Sequence, residues 1–258
     1  MTVNVVEDVA QVEPQLANCR DYWLGWGEAD RSDNGLTYYR SALAHPQLNG
    51  VLRLDDADRV PSVARRVSDM MADVPWMWWV GPDSGPGVAE ALVGHGAVRV
   101  GTMPVMAVRT DRIADAGQPS GLRIDTVEDG EALAEWVDTY SPSFDVAPEL
   151  RSDSLRIEQR SAQAPDTVRL AAYLDGRCVG TALVLDAHGV AGVYIVTTAE
   201  AYRRRGIGAA LTAAALRAGQ ERGLRVGTLQ ASAAGAPVYR RMGFQTVAEY
   251  QLFTLPTA

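Results

Sequence analysis

The stretch Val193–Leu211, VYIVTTAEAYRRRGIGAAL, decides how the rest of the chain is read. An apolar, extended segment passes through a polar turn into Arg203-Arg204-Arg205-Gly206-Ile207-Gly208, and then into an alanine-rich helix. A glycine-containing loop at a helix N-terminus leaves several backbone N–H groups without intrahelical partners. The helix dipole adds positive potential at the same end. Together they make an anion site suited to phosphate. Gly206 and Gly208 remove Cβ atoms that would block a ligand, and three arginines strengthen the attraction for a diphosphate.

Other phosphate motifs fit this loop less well. The Walker pattern ends in Gly-Lys-Ser/Thr, which is absent. A dinucleotide GxGxxG pattern starts at Gly206 and Gly208, but Leu211 stands where its third glycine belongs. The next strand, VGTLQAS, ends without an acidic residue for a ribose.

Working outward, residues 111–121, DRIADAGQPSG, read as a linker. After it come a strand at Leu122–Thr126 and a helix over Val127–Tyr140 with Leu133, Trp136 and Val137 on one face. A loop over 141–146 and a polar helix over Pro148–Gln163 follow. The period then changes to extended: TVRLAAYL and RCVGTALVL flank Asp175-Gly176, a type I′ hairpin signal. His188-Gly189 turns the chain into VAGVYIVTT. The helix after the arginines runs from Ile207 to Arg222, with Gly223 as its stop. VGTLQAS is a buried strand, Ala236–Met242 a short helix, and QTVAEYQLFTL one or two strands.

The first half reads as a helix over Pro14–Gly25, the strand VLRL, the helix VPSVARRVSDMMAD, the strand WMWWV, the helix GVAEALVGHG and the strand MPVMAVRT. Trp76, Trp78 and Trp79 alternate as in a half-buried strand and are assigned to packing. ALVGHGAVRVGTMPVMAV resembles VYRRMGFQTVAEYQLFTL: each is a short helix, a glycine and a strand, preceded by an apolar strand. This points to an internal duplication. The first copy has no RxxGxG. In its place VLRLDDADRVPSVARR lacks glycine and sets acidic residues before the helix, so it should not bind a diphosphate.

Composition bounds the remaining choices. Apolar residues make up 47% and charged residues 22% of 258, an ordinary globular balance. The net charge of −8 gives no broad attraction for nucleic acid or anionic membrane, and mildly favours a cationic amine. Cys19 and Cys178 match no metal spacing, and His45, His95 and His188 do not pair at ligand spacing, so no metal is expected. The N-terminus lacks a basic region and a long apolar run, and no stretch has the length of a membrane span. A cytoplasmic location is expected.

With these residues in view, the chain resembles the GNAT superfamily of N-acetyltransferases. RRRGIG matches its R/Q-x-x-G-x-G/A signature, and ASAAGAPVYRRMGF at 231–244 is similar to its later motif ending in Tyr-x-x-x-Gly-Phe. The likeness covers residues 120–258 in element order. It implies an α/β fold with a mixed, mostly antiparallel sheet flanked by helices. The chain resembles tandem members, with a degenerate GNAT-like domain at 1–115 and a catalytic one at 120–258. The resemblance implies acetyl-CoA as co-substrate. Main-chain groups of Val196, Thr197 and Thr198 would meet its pantetheine arm, and one N–H there would polarise the thioester. Arg203, Arg204, Arg205, Gly206, Ile207, Gly208 and Ala209 would wrap the diphosphate, and Ser232 would add a polar contact. Tyr239 would protonate the departing thiolate. Two departures stand out: Glu200 replaces a common proline, and the strand VAGVYIV carries no acidic base. Asp186, His188, Asp145 and Glu149 are the nearby candidates, and none is assigned. The expected reaction is transfer of acetyl to an amine, of a small molecule rather than a protein tail. The alternatives are a non-catalytic acyl-CoA sensor and a nucleotide-binding oxidoreductase. A homodimer is left open.

Overall fold

The computed structural model describes residues 5–27, 32–41, 43–113, 117–161 and 164–256. The elements begin with α1 (Val12–Leu24), β1 (Ser32–Asp33), β2 (Leu36–Arg40), β3 (Asn49–Leu54), α2 (Val60–Met70), β4 (Met77–Val80), α3 (Val88–Gly94) and β5 (Val98–Arg109). They continue with β6 (Arg123–Thr126), α4 (Gly130–Tyr140), α5 (Arg151–Ser161), β7 (Thr167–Leu174), β8 (Arg177–Ala187) and β9 (Val190–Thr198). Last come α6 (Ile207–Glu221), β10 (Val226–Gln230), α7 (Ala236–Arg241) and β11 (Gln245–Thr254). One compact unit holds Met1–Cys19 and Met106–Val247; the other holds Arg20–Val105 and Ala248–Ala258. These differ from the sequence boundaries 1–115 and 120–258, because β5 and β11 each begin in one unit and end in the other. Of the linker at 111–121, residues 114–116 lie outside the described part. No described helix is long and apolar enough to cross a membrane.

In the unit that carries the arginine loop, the strand order is β5-β10-β9-β8-β7-β6. β6 to β9 pair antiparallel, and β10 pairs parallel to β9. The two hairpins rest on type I′ chemistry: Asp175 and Gly176 have φ of 50° and 76°, His188 and Gly189 of 56° and 73°. α6 buries Ile207, Leu211 and Leu216 against Val184, Val193 and Leu229. It lies so close to β8 that a Cβ on Gly180 would come within 2.8 Å of Leu211 Cδ1. α4 starts at Gly130 rather than Val127, because Asp129 Oδ1 accepts the Ala132 N–H at 2.8 Å and fixes the cap there. The polar helix begins at Arg151, after a separate 3-10 turn at Pro148–Leu150. Arg169 of β7 donates twice to Glu158 of α5, at 2.9 and 2.7 Å, and both are almost fully buried. Trp136 Nε1 donates to Leu170 O at 3.0 Å.

In the other unit the order is β1-β2-β3-β4-β11-β5. β3 and β4 are parallel and joined by α2; the remaining registered pairs are antiparallel. Trp78 is fully buried with Val51, Val63, Val67 and Phe253, while Trp79 packs on Trp23 and Tyr250, each with ring centroids 5.5 Å away. Trp76 is half-buried, its ring 6.4 Å from that of Trp78.

The chain therefore contains twice a strand, a helix, a parallel strand, a short helix and a strand: β3-α2-β4-α3-β5 and β9-α6-β10-α7-β11, the last strand of each beginning in one unit and ending in the other. The two short helices end alike. Ala97 N–H bonds Leu92 O at 2.9 Å after Gly96 at φ 92°, and Phe244 N–H bonds Tyr239 O at 3.0 Å after Gly243 at φ 95°. This helix stop has the same hydrogen-bond pattern in both copies.

Candidate active site

The arginine loop is built from its backbone. Arg204 and Gly206 both take left-handed φ, 62° and 84°, and Gly206 is the N-cap of α6. Left-handed residues alternating with right-handed or extended ones turn successive N–H groups into one concavity. The first-turn amides of a helix have no intrahelical acceptor, so those of Ile207, Gly208 and Ala209 add to it. Gly206 is required by its φ. Gly208 has no such requirement: a Cβ there would meet only Thr198 Oγ1, at 3.7 Å. The protein leaves that space open at the head of the helix. The side chains support the loop from within. Arg203 Nε donates to Thr198 O at 3.2 Å, and an Arg205 guanidinium N–H donates to Ala201 O at 3.3 Å while the group lies 5.2 Å over the Tyr202 ring. All three arginines are exposed, so their charge acts near the loop through solvent.

Beside the loop, two strands part. The ladder between β9 and β10 consists of Ala191 with Gly227 and Gly192 with Thr228, although β9 runs on to Thr198 and β10 to Gln230. β9 also bulges. Thr181 of β8 pairs with Thr197 and Leu183 with Tyr194, so Ile195 and Val196 together oppose Ala182. Ile195 has φ 51°, rare for a β-branched residue and costing about 1–3 kcal/mol. Beyond the bulge, Ala199 N–H bonds Val179 O at 2.9 Å. Antiparallel alternation then turns the main chain of Thr197 toward β8 and that of Thr198 away from it. Thr197 is buried, and its hydroxyl is 2.9 Å from that of Thr181.

Tyr239 stands on α7, half-buried, its ring 5.6 Å from Phe244. Thr212, whose Oγ1 donates to Gly208 O at 2.8 Å, is its polar neighbour. The phenol thus stands beside the first turns of α6, next to the arginine loop. Burial pushes its pKa up to about 12, and Thr212 works in the other direction. At neutral pH the group is a protonated donor. Ser232 is exposed just after β10; its Oγ accepts the Gly235 N–H at 3.1 Å and its carbonyl the Ala236 N–H at 2.9 Å, so it shapes the entry to α7.

The carboxylates near the sequence motif do not gather here. His188 sits in the β8–β9 turn and Asp186 pairs with Arg222 at 3.7 Å, at the opposite end of β9. A strand of that length separates them from Thr198 by roughly 25 Å. Asp145 and Glu149 are exposed in the 3-10 turns between α4 and α5. Glu158 is held by Arg169. Among the described residues, no three His, Cys, Asp or Glu side chains are placed to hold a metal. Two residues missed in the sequence reading matter. Thr181 and Thr212 lie outside the loop motif, and no periodicity or spacing marks them.

A model of the acetyltransferase (GNAT) family matches residues 131–244. No curated protein sequence is similar to the chain. The structure is similar to a GCN5-related N-acetyltransferase from Kribbella flavida, at a TM-score of 0.73 and 21% identity over 96% of both chains. It is also similar to a tandem GNAT protein from the clavulanic acid biosynthesis pathway, at 0.60 and 14% over 98% of this chain and 99% of that one. A third is a putative acetyltransferase from the GNAT family of Novosphingobium aromaticivorans, at 0.56 and 16% over 95% and 97%. At these identities the likeness concerns the fold.

Proposed function

We propose that this chain, whose residues 131–244 match the acetyltransferase (GNAT) family model, transfers an acetyl group from acetyl-CoA to an amine of a small molecule by direct attack. The observation that carries this reading is the backbone concavity at the head of α6 beside the parted strands β9 and β10. The amides from Arg204 to Ala209 hold the diphosphate, and the gap beyond Gly192 takes the pantetheine arm. Main-chain groups of Val196 and Thr198 meet that arm. The Val196 N–H stabilises the charge that develops on the carbonyl oxygen as the amine attacks. Tyr239, a phenol that keeps its proton at neutral pH, gives it to the sulfur that leaves. No side chain is assigned as base, so the amine enters neutral or loses its proton to solvent. An amine that is cationic in bulk is drawn by the net charge of −8.

The test is calorimetric titration with CoA and acetyl-CoA, followed by thiol release across a panel of small amines. The sequence contains no lysine, so no side-chain amine of the protein competes as acceptor. Binding with micromolar affinity and amine-dependent thiol release support the proposal. Binding with no release for any amine leaves a sensor, and no binding by folded protein ends the reading.

A further inference from the structure

We propose that Thr181, a β8 residue outside the sequence motifs, is a positioning residue for acyl transfer: its hydroxyl fixes the peptide between Ile195 and Val196 and so aims the Val196 N–H at the thioester. The inference rests on the acyltransferase reading and adds a part to it.

The geometry is a short chain of bonds. Thr181 Oγ1 donates to Ile195 O at 2.7 Å and lies 2.9 Å from Thr197 Oγ1. A hydroxyl has one proton. That of Thr181 is spent on the carbonyl, which can only accept, so Thr197 is the donor of the second bond. Thr181 is completely buried, and no solvent molecule can take its place without opening the sheet. The peptide it grips follows the strained residue, Ile195 at φ 51°, where the extra residue of the bulge has released β9 from regular pairing. Such a peptide has no ladder to set its rotation; the Thr181 hydroxyl sets it instead.

In a planar trans peptide, the C=O and N–H point in opposite directions. Thr181 holds the Ile195 carbonyl from β8, which lies on the side of β9 away from β10. The Val196 N–H of the same peptide therefore faces the β10 side, where the ladder has ended at Gly192 and Thr228. A hydrogen bond on one side of the strand thus fixes a donor on the other side. A preorganised N–H is effective because it is aimed before the charge develops, and a peptide free to rock about its flanking bonds loses that advantage.

The experiment compares the full chain with Thr181→Ala and Thr181→Ser. Its first readout is the infrared carbonyl stretch of acetyl-CoA labelled with carbon-13 at the thioester carbonyl; its second is kcat for the best amine of the panel; its third is CoA affinity. In the wild type, bound acetyl-CoA should absorb at lower frequency than free. Thr181→Ala should return the band toward the free value and cut kcat about thirtyfold, with CoA affinity within twofold. Thr181→Ser, which keeps the hydroxyl, should restore both. A wild-type band unshifted on binding overturns the inference even if Thr181→Ala fails to fold. So does a Thr181→Ala protein with unchanged band and kcat, or a Thr181→Ser protein as impaired as the alanine variant. In those cases the acyltransferase reading survives. If the wild type binds no acetyl-CoA, both fall together.

Discussion

The two copies of the strand-helix-strand unit differ most where their first helices begin. α6 opens on Gly206 with a left-handed N-cap, flanked by arginines and by open space at Gly208. α2 opens on Arg59, after a 3-10 turn in which Asp56 accepts the Asp58 N–H at 3.0 Å. Pro61 removes one N–H from its first turn, Asp55 pairs with Arg59 at 3.6 Å, and Gly85 packs so near Asp55 that a Cβ there would lie 2.0 Å from its carbonyl oxygen. One helix end offers amides and positive charge; the other follows a 3-10 turn capped by Asp56 and has acidic side chains beside it. The short helices repeat the contrast. They share the same stop, but the residue whose carbonyl closes it is Tyr239 in α7 and Leu92 in α3, fully buried in an apolar core. Two similar frames thus differ in chemistry through a handful of residues at two helix ends, as expected when function is grafted onto a fold.

The largest effect should come from making α6 resemble α2. Gly208→Glu places a carboxylate in the phosphate concavity, and CoA affinity should fall about a thousandfold, or ~4 kcal/mol. Because a Cβ at that position meets only Thr198 Oγ1, at 3.7 Å, the thermal midpoint should hardly move. The same titration on the wild type should give one CoA per chain; two would mean that the α2 end also binds. Next in size is Tyr239→Phe, which makes α7 as inert as α3. We expect kcat to fall about a hundredfold with CoA affinity within twofold. Unchanged turnover would remove Tyr239 from the reaction.

The pH profile sharpens the same contrast. Burial raises the Tyr239 phenol, whose donor form is the protonated one. That form therefore persists as pH rises, until about 12. The rate should climb as the acceptor amine loses its proton and show no decline up to about pH 10. A fall near pH 9 would assign the proton donor to another group.

Local chemistry made much of this legible. Asp175-Gly176 announces its hairpin because two adjacent positive φ values suit few residue pairs. Asn34-Gly35, with φ of 43° and 77°, carries the same signal for the β1–β2 hairpin, and the sequence reading passes over it. The loop at α6 was legible because glycines, arginines and the helix are contiguous. The bulge was not: Ile195 is ordinary in composition, and its left-handed φ depends on β8, fourteen residues away in sequence at Thr181. Nor could spacing reveal that Tyr239 stands near Thr212, or that the chain's last strand ends in the core of the unit built mainly from Arg20–Val105, where Phe253 packs with Trp78. Contacts distant in sequence leave no periodic trace.

The smallest effect is also the cleanest check on the acidic helix end. Asp56 is exposed, and its carboxylate accepts the Asp58 N–H that starts the turn into α2. Asp56→Ala should cost about 1 kcal/mol of stability, the usual loss of a capping side chain, read as a lower urea midpoint. CoA affinity and turnover should stay as in the wild type, since that turn belongs to the unit without the arginine loop. If CoA affinity changed with Asp56, the acidic end of α2 would be acting on the cofactor, and the division of labour between the two helix ends would have to be abandoned.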